Sequence, residues 1–429
     1  MSPENSILTA LHDGNVFTRN TGADVNTQRL QQFTEAVGGR VTLFLGSAIS
    51  TFKPSGLPMW AKFVETMCKR LLDRSTTETN TDALWTNFLQ SLENPSVPNY
   101  MITETVARRL GKTYLKLLKA FECPGSGGYN HIHKWAVKML VDGRCAAIAT
   151  TNFDDCLEVA MSKEHSEQVS IHRLTGEFAT DGEGIRSLQT NSPGKKVILI
   201  VNGANAFGFV RCLLSQLGSD KFGFIFKFHG SCYEPETCID TRLQRAQGLP
   251  SYLTGVLDIL LQTSVWFVAG FSGGDMNDNV DYFRMVHNKG NARIVWLEYS
   301  AIGREPGLDT LLDELETGAE DRKGVLIVKG GFFGDRSAAD EFSRTFDQSV
   351  QAWVEGLDPS WSKLVILDLN ALFVRRIKAS ENQPHPVLPA SHWNKVLEAL
   401  ADARTLSPDQ NVQVRYPNRS KILFTKPIW

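Results

Sequence analysis

Four short segments of the 429-residue chain hold residue types that could do chemistry together: "GSAIS" at 46–50, "TTNFDD" at 150–155, "KFHGS" at 227–231 and "GFSGGD" at 270–275. Small residues such as Gly46, Ser47, Ala48 and Ser50 let backbone amides come close to an anion, and the start of a helix adds a favourable dipole. Asn152 is neutral and both donates and accepts, so it can orient a water or a sugar hydroxyl. His229 titrates in the range needed to take a proton near neutral pH. Each segment also has a plainer reading. "GSAIS" alone is a turn, and "TTNFDD" alone is a helix start with Asn or Thr as cap and acidic residues in the first turn. Asp155 is left to that plainer role. His131 and His133 flank a helix start with no ligand spacing, so solvated or core roles are expected for them.

The elements that must position these segments are legible as short apolar runs. "VTLFL" precedes Gly46, "CAAIAT" (145–150) runs into Thr151, "FGFIFKF" (222–228) into His229, and "SVWFVAG" (264–270) into the last segment. "KVILIV" (196–201), "RIVWLEY" (293–299) and "GVLIVKG" (324–330) are runs of the same kind. Helical faces separate most of them, as in Tyr252, Leu253, Val256, Leu257 and Leu260. Runs apolar throughout, alternating with helices, predict a parallel α/β sheet covered on both faces, a Rossmann-like fold. In such sheets ligands bind beyond the carboxyl ends of the strands. All four segments sit there, which points to one nucleotide crevice.

Between about 61 and 140 the pattern is helical. Trp60, Phe63, Val64, Met67 and Leu71 share one face, and Ile132, Trp135, Ala136, Met139 and Leu140 another. The expected organisation is a polar, partly helical arm (1–37), a nucleotide domain (38–300) with this helical insertion, and a C-terminal α/β extension (301–429). In the extension a helix is expected around "FSRTFDQSVQAWVEGL", and "KLVILDLNALFVRRI" reads as either strand or helix. Hydrophobic residues make up 42 % and the formal net charge is −2, which describes an ordinary globular composition and gives no sign of bulk binding to nucleic acid or anionic membrane. No apolar run reaches the ~18 residues of a membrane span, and the N-terminus does not read as a secretory signal. The seven cysteines are scattered without a C-x-x-C pair, so reduced thiols in a cytoplasmic protein and no structural zinc are expected.

In order, "GSAIS…GLPMW", "TTNFDD", "KFHGS" and "GFSGGD" resemble the sirtuin family, and more closely the bacterial sirtuin-like NAD-cleaving domains of antiviral defence systems. The resemblance implies that NAD+ is bound as a substrate. Gly46, Ser47, Ala48 and Ser50 would hold its pyrophosphate, with Thr151 and Asp154 supporting the loop at the nicotinamide ribose. Asn152 and His229 would be catalytic, and Gly270, Ser272 and Asp275 would line the other side of the dinucleotide. Gly56, Leu57 and Pro58 match the family's Gly-Ile-Pro, whereas Met59 and Ala61 replace two charged residues. Ser47–Ala48 stands where a second glycine is usual, and the paired zinc cysteines are missing. These departures weigh against deacetylation of a protein substrate and leave NAD cleavage in place. The resemblance further implies a homo-oligomer and a partner ATPase, helicase or phage-sensing protein. Two alternatives stay open: a zinc-free deacylase or ADP-ribosyltransferase, and a non-catalytic sensor of NAD or ADP-ribose.

Overall fold

The computed structural model describes residues 40–75, 97, 99–125, 127–174, 187, 190, 192–239, 251–271, 293–299, 324–330 and 344–379. The strands are β1 (Val41–Leu45), β2 (Ala147–Thr150), β3 (Val169–Leu174), β4 (Lys196–Asn202), β5 (Phe222–Lys227), β6 (Val265–Ala269), β7 (Arg293–Tyr299) and β8 (Gly324–Gly330). They form one eight-stranded sheet in the order β3-β4-β5-β2-β1-β6-β7-β8. Every pairing is parallel. This is the expected α/β, Rossmann-like architecture.

Helices cover both faces. On one lie α1 (Trp60–Ser75), α2 (Asn99–Leu110), α3 (Lys112–Leu118), α4 (His131–Val141) and α5 (Cys156–Glu164), the first four making the helical insertion. Their apolar residues share a core with Leu43, Leu45, Ile148, Ile225 and Phe267 of the sheet. On the other face, α6 (Gly203–Val210) and α7 (Ser251–Thr263) pack over Phe44, Ala149, Val201, Phe224, Phe226 and Trp266. The period of two that divides a strand's side chains between faces is plain in β5. Phe222, Phe224 and Phe226, with Phe228 just beyond, stack along the α6/α7 side, while Ile225 joins the other core.

Two helices of the C-terminal extension, α8 (Arg344–Glu355) and α9 (Pro359–Ala379), fold back onto the insertion. Phe346, Val350, Val354, Val365 and Leu369 enter the same core as α1 and α2. Arg70 forks onto Asp347 at 3.2 and 2.5 Å, and Arg109 onto Asp368 at 2.7 and 2.9 Å. The segment "KLVILDLNALFVRRI" is helical, within α9. No helix among the described residues is long and apolar enough to cross a membrane.

Register brings the carboxyl ends of the strands into one row. Asn202 of β4 pairs with Lys227 of β5, Lys227 with Thr150 of β2, Thr150 with Leu45 of β1, and Leu45 with Ala269 of β6. The loops that start just past this row therefore begin at the same level.

Candidate functional site

β1 runs into a 3-10 turn at Ser47–Thr51, and this turn is pinned to the end of β6. The Gly46 amide donates to the Ala269 carbonyl at 2.9 Å, and the Ala48 amide to the Gly270 carbonyl at 3.0 Å. A β-carbon on Gly46 would stand 2.5 Å from the Gly270 oxygen and 2.6 Å from Phe271 Cα. Gly46 is thus required by the close approach of two backbones, with or without a phosphate. Gly270 meets it with φ +66°, and a β-carbon there would fall 2.6 Å from Ile49 Cγ2. With the Gly46 and Ala48 amides engaged, any anion must draw on the turn's other donors. Ser47, the exposed first residue of the turn, is the member best placed to meet a ligand.

Ser50 is the hub of a buried network. Its hydroxyl donates to Asp154 Oδ2 at 2.8 Å and accepts from Asn152 Nδ2 at 3.2 Å. His133 Nε2 lies 3.2 Å from the same oxygen. The Asn130 amide donates to His133 Nδ1 at 3.2 Å, which assigns the ring proton to Nε2 and makes Ser50 its acceptor. Ser50 then uses its one proton and both lone pairs. Burial holds His133 down at about 4, so the ring is neutral at physiological pH. Asn130 also fixes the 3-10 turn, donating through Nδ2 to the Ile49 carbonyl at 2.7 Å and the Phe52 carbonyl at 3.2 Å.

The polarity of this network settles which way the Asn152 amide faces. Nδ2 is spent on Ser50, and Oδ1 is buried with no hydrogen-bond partner among the described residues. A buried, unmatched amide oxygen costs roughly 1–3 kcal/mol. Its backbone is held by Thr150, whose Oγ1 accepts from the Asn152 amide at 3.0 Å and donates to the Leu45 carbonyl at 2.8 Å. The Thr151 amide reaches the same carbonyl at 3.3 Å. Asp154 does double duty, since its Oδ1 accepts from the Cys156 amide, the first of α5, at 3.1 Å.

The loop after β5 is stitched to this one. The Phe228 amide donates to the Thr150 carbonyl at 2.9 Å, and the Cys232 amide to the Phe153 carbonyl at 2.8 Å. The Lys227 ammonium, fully buried, donates to the Asp154 carbonyl and pairs with Glu158 of α5. His229, 5 % exposed, starts a closed loop whose far end returns to it through the Ile239 amide, 2.9 Å from the His229 carbonyl. Asn152 and His229 thus stand on cross-linked loops at the ends of adjacent strands.

Of the residues singled out in the sequence, Gly46, Ala48, Ser50, Thr151, Asn152, Asp154, His229 and Gly270 come together around the β1, β2, β5 and β6 ends. Ser272 and Asp275 lie outside the described residues. His133, expected in a solvated or core role, is fully buried and also joins the network through both ring nitrogens. The available signal was the "NHIH" spacing, an asparagine three residues before a side chain that can return its cap. His133, Asp154 and Cys156 also bring potential metal-ligand atoms within 4.8 Å of one another. Spacing along the chain could not show that group. It is one donor short of a four-ligand structural zinc site, and both His133 nitrogens are already engaged.

Compared with known families, the chain matches the SIR2-like domain over residues 146–306. That stretch includes Asn152, Asp154, His229 and Gly270 and leaves out the Gly46–Ser50 turn. No curated protein matches the chain. SIR2-like domains bind NAD+, and the match supports a sirtuin-like family and an NAD-related function for this protein.

Proposed function

We propose that the protein is an NAD+ glycohydrolase, converting NAD+ and water to nicotinamide and ADP-ribose. The observation that carries this reading is the Asn152 amide: its nitrogen is fixed by Ser50, and its buried oxygen is left to an incoming donor. A ribose hydroxyl or the attacking water is such a donor. The bond from ribose C1′ to the pyridinium nitrogen breaks, and its electron pair neutralises the departing nicotinamide. Positive charge builds on the ribose as in other glycosyl transfers. Water then adds to C1′ and yields a proton, for which His229 is the base on the adjoining loop. The adenosine diphosphate half would lie toward β1 and β6, along Ser47 and Gly270, with Ser50 holding the turn from beneath. The chemistry needs no metal and no acyl-peptide.

The physiological role that fits the sequence resemblance is depletion of NAD+ by a bacterial antiphage effector, kept at low basal activity as a homo-oligomer or by a partner protein. Incubating the purified protein with NAD+ and following nicotinamide and ADP-ribose by chromatography tests the chemistry. Equimolar release of both without a peptide supports hydrolysis. Release only with an acyl-peptide would mark a deacylase, and binding without turnover a sensor. A fully active monomer in light scattering and turnover assays would contradict the regulatory part.

A further inference from the structure

A second polar cluster stands at the ends of β3 and β4, and it touches the Asn152 loop where the Tyr233 hydroxyl pairs with Asp155. Asn202, the last residue of β4, is 7 % exposed and donates through Nδ2 to Glu234 Oε2 at 2.8 Å. The other end of the same amide, Oδ1, is buried without a hydrogen-bond partner among the described residues. Glu234 belongs to the closed loop that begins at His229. Backbone bonds fold that loop: the Glu234 amide donates to the Ser231 carbonyl at 3.0 Å, and the Thr237 amide to the Glu234 carbonyl at 2.8 Å. Next to Glu234, the Tyr233 ring is the large apolar side chain left exposed among the described residues, at 41 %. The guanidinium of Arg173, an exposed residue of β3, lies 4.0 Å from that ring's centroid. Stacked on the ring, a guanidinium keeps its N–H edge for an anion.

The NAD+ reading does not use these four residues. In the sheet order β4-β5-β2-β1, β4 stands three strand spacings of ~4.8 Å, about 14 Å, from the turn assigned to the pyrophosphate. The chemistry of the cluster is that of a ligand with hydroxyl donors, a flat ring and a negative group. Asn202 Oδ1 and Glu234 Oε1 can only accept, so they match adjacent hydroxyls; Tyr233 offers a ring face, and Arg173 offers donors to a phosphate.

We infer that Arg173, Asn202, Tyr233 and Glu234 form a second nucleotide subsite, which takes a ribonucleoside diphosphate through its ribose hydroxyls and phosphate. The inference rests on the cluster itself and stands or falls apart from NAD+ cleavage. The test is calorimetric titration of the full chain with ADP and with UDP, alone and with a saturating non-hydrolysable NAD+ analogue. At least one of the two is expected to bind, and to bind still when the analogue is present. The 2′,3′-dideoxy form of that nucleotide is expected to bind at least tenfold more weakly. Glu234→Gln and Arg173→Ala should each cost at least tenfold with the melting temperature unchanged. Binding of neither nucleotide would overturn the inference. So would binding abolished by the analogue, or binding indifferent to loss of the hydroxyls; the dideoxy comparison stays decisive if a variant fails to fold.

Discussion

The Lys227 ammonium stands 3.4 Å from Glu158 Oε1, with both side chains closed off from solvent. Burial works against the charge on Lys227, but Glu158 and Asp154 outweigh it and hold the ammonium above its usual pKa. The pair sits between the two proposed catalytic loops, because Lys227 also donates to the Asp154 carbonyl. Removing one partner strands the other without compensation, at a cost of about 3–5 kcal/mol. Lys227→Met should therefore lower stability by that order, and adding Glu158→Gln should restore a substantial part. Urea unfolding of the two single variants and the double variant checks this. Strictly additive losses would show that the pair is not coupled.

His133 predicts a pH dependence of stability. Its folded pKa, lowered by burial to about 4, lies below the usual 6.5. The unfolded chain therefore takes up a proton first as pH falls. The stability the neutral ring contributes is complete above 6.5 and is lost between 6.5 and about 4. The slope contributed is at most ~1.4 kcal/mol per pH unit. His133→Asn should flatten the melting temperature across this window and lower it at pH 7. An unchanged pH profile in the variant would contradict the assignment.

Gly46→Ala separates a packing role from a phosphate role. The added carbon meets backbone atoms of Gly270 and Phe271, which cannot swing aside. A loss on the order of 3 kcal/mol is expected, with or without nucleotide. Read from sequence alone, a side chain at this position would crowd the phosphate and chiefly abolish binding. Thermal melting of the variant, with and without NAD+, distinguishes the two.

The group formed by His133, Asp154 and Cys156 makes metal content worth measuring. A bound ion would take a His133 nitrogen from Asn130 or Ser50, so the purified protein is expected to carry no stoichiometric zinc. Elemental analysis showing one zinc per chain would overturn that, and would place the ion beside Asn152.

Much of this fold was legible because the inner strands are apolar throughout, as in "VTLFL" and "KVILIV". β3 was not, because "VSIHRL" lies at the sheet edge and carries Ser170 and His172 on partly exposed positions and Arg173 on an exposed one. The strand-end motifs were visible as local strings, but the network joining them was not. Ser50, His133 and Asp154 are 83 and 104 residues apart along the chain from the serine outward, and only the β1–β2 register with α4 packed beside it brings them together. Asn202 and Glu234 were passed over for the same reason: neither sits in a motif, and their contact depends on the loop after His229 folding back over β4.

The central claim is that Asn152 and His229 act on NAD+ itself. The direct measurement is nicotinamide release by wild type, Asn152→Ala and His229→Ala, with NAD+ affinity and melting temperature determined on the same samples. Both variants should stay folded and bind NAD+ within a few-fold of wild type. Their turnover should fall roughly 10²–10⁴-fold, since the lost interactions belong to the transition state. Wild-type turnover in a well-folded His229→Ala or Asn152→Ala protein would contradict the account.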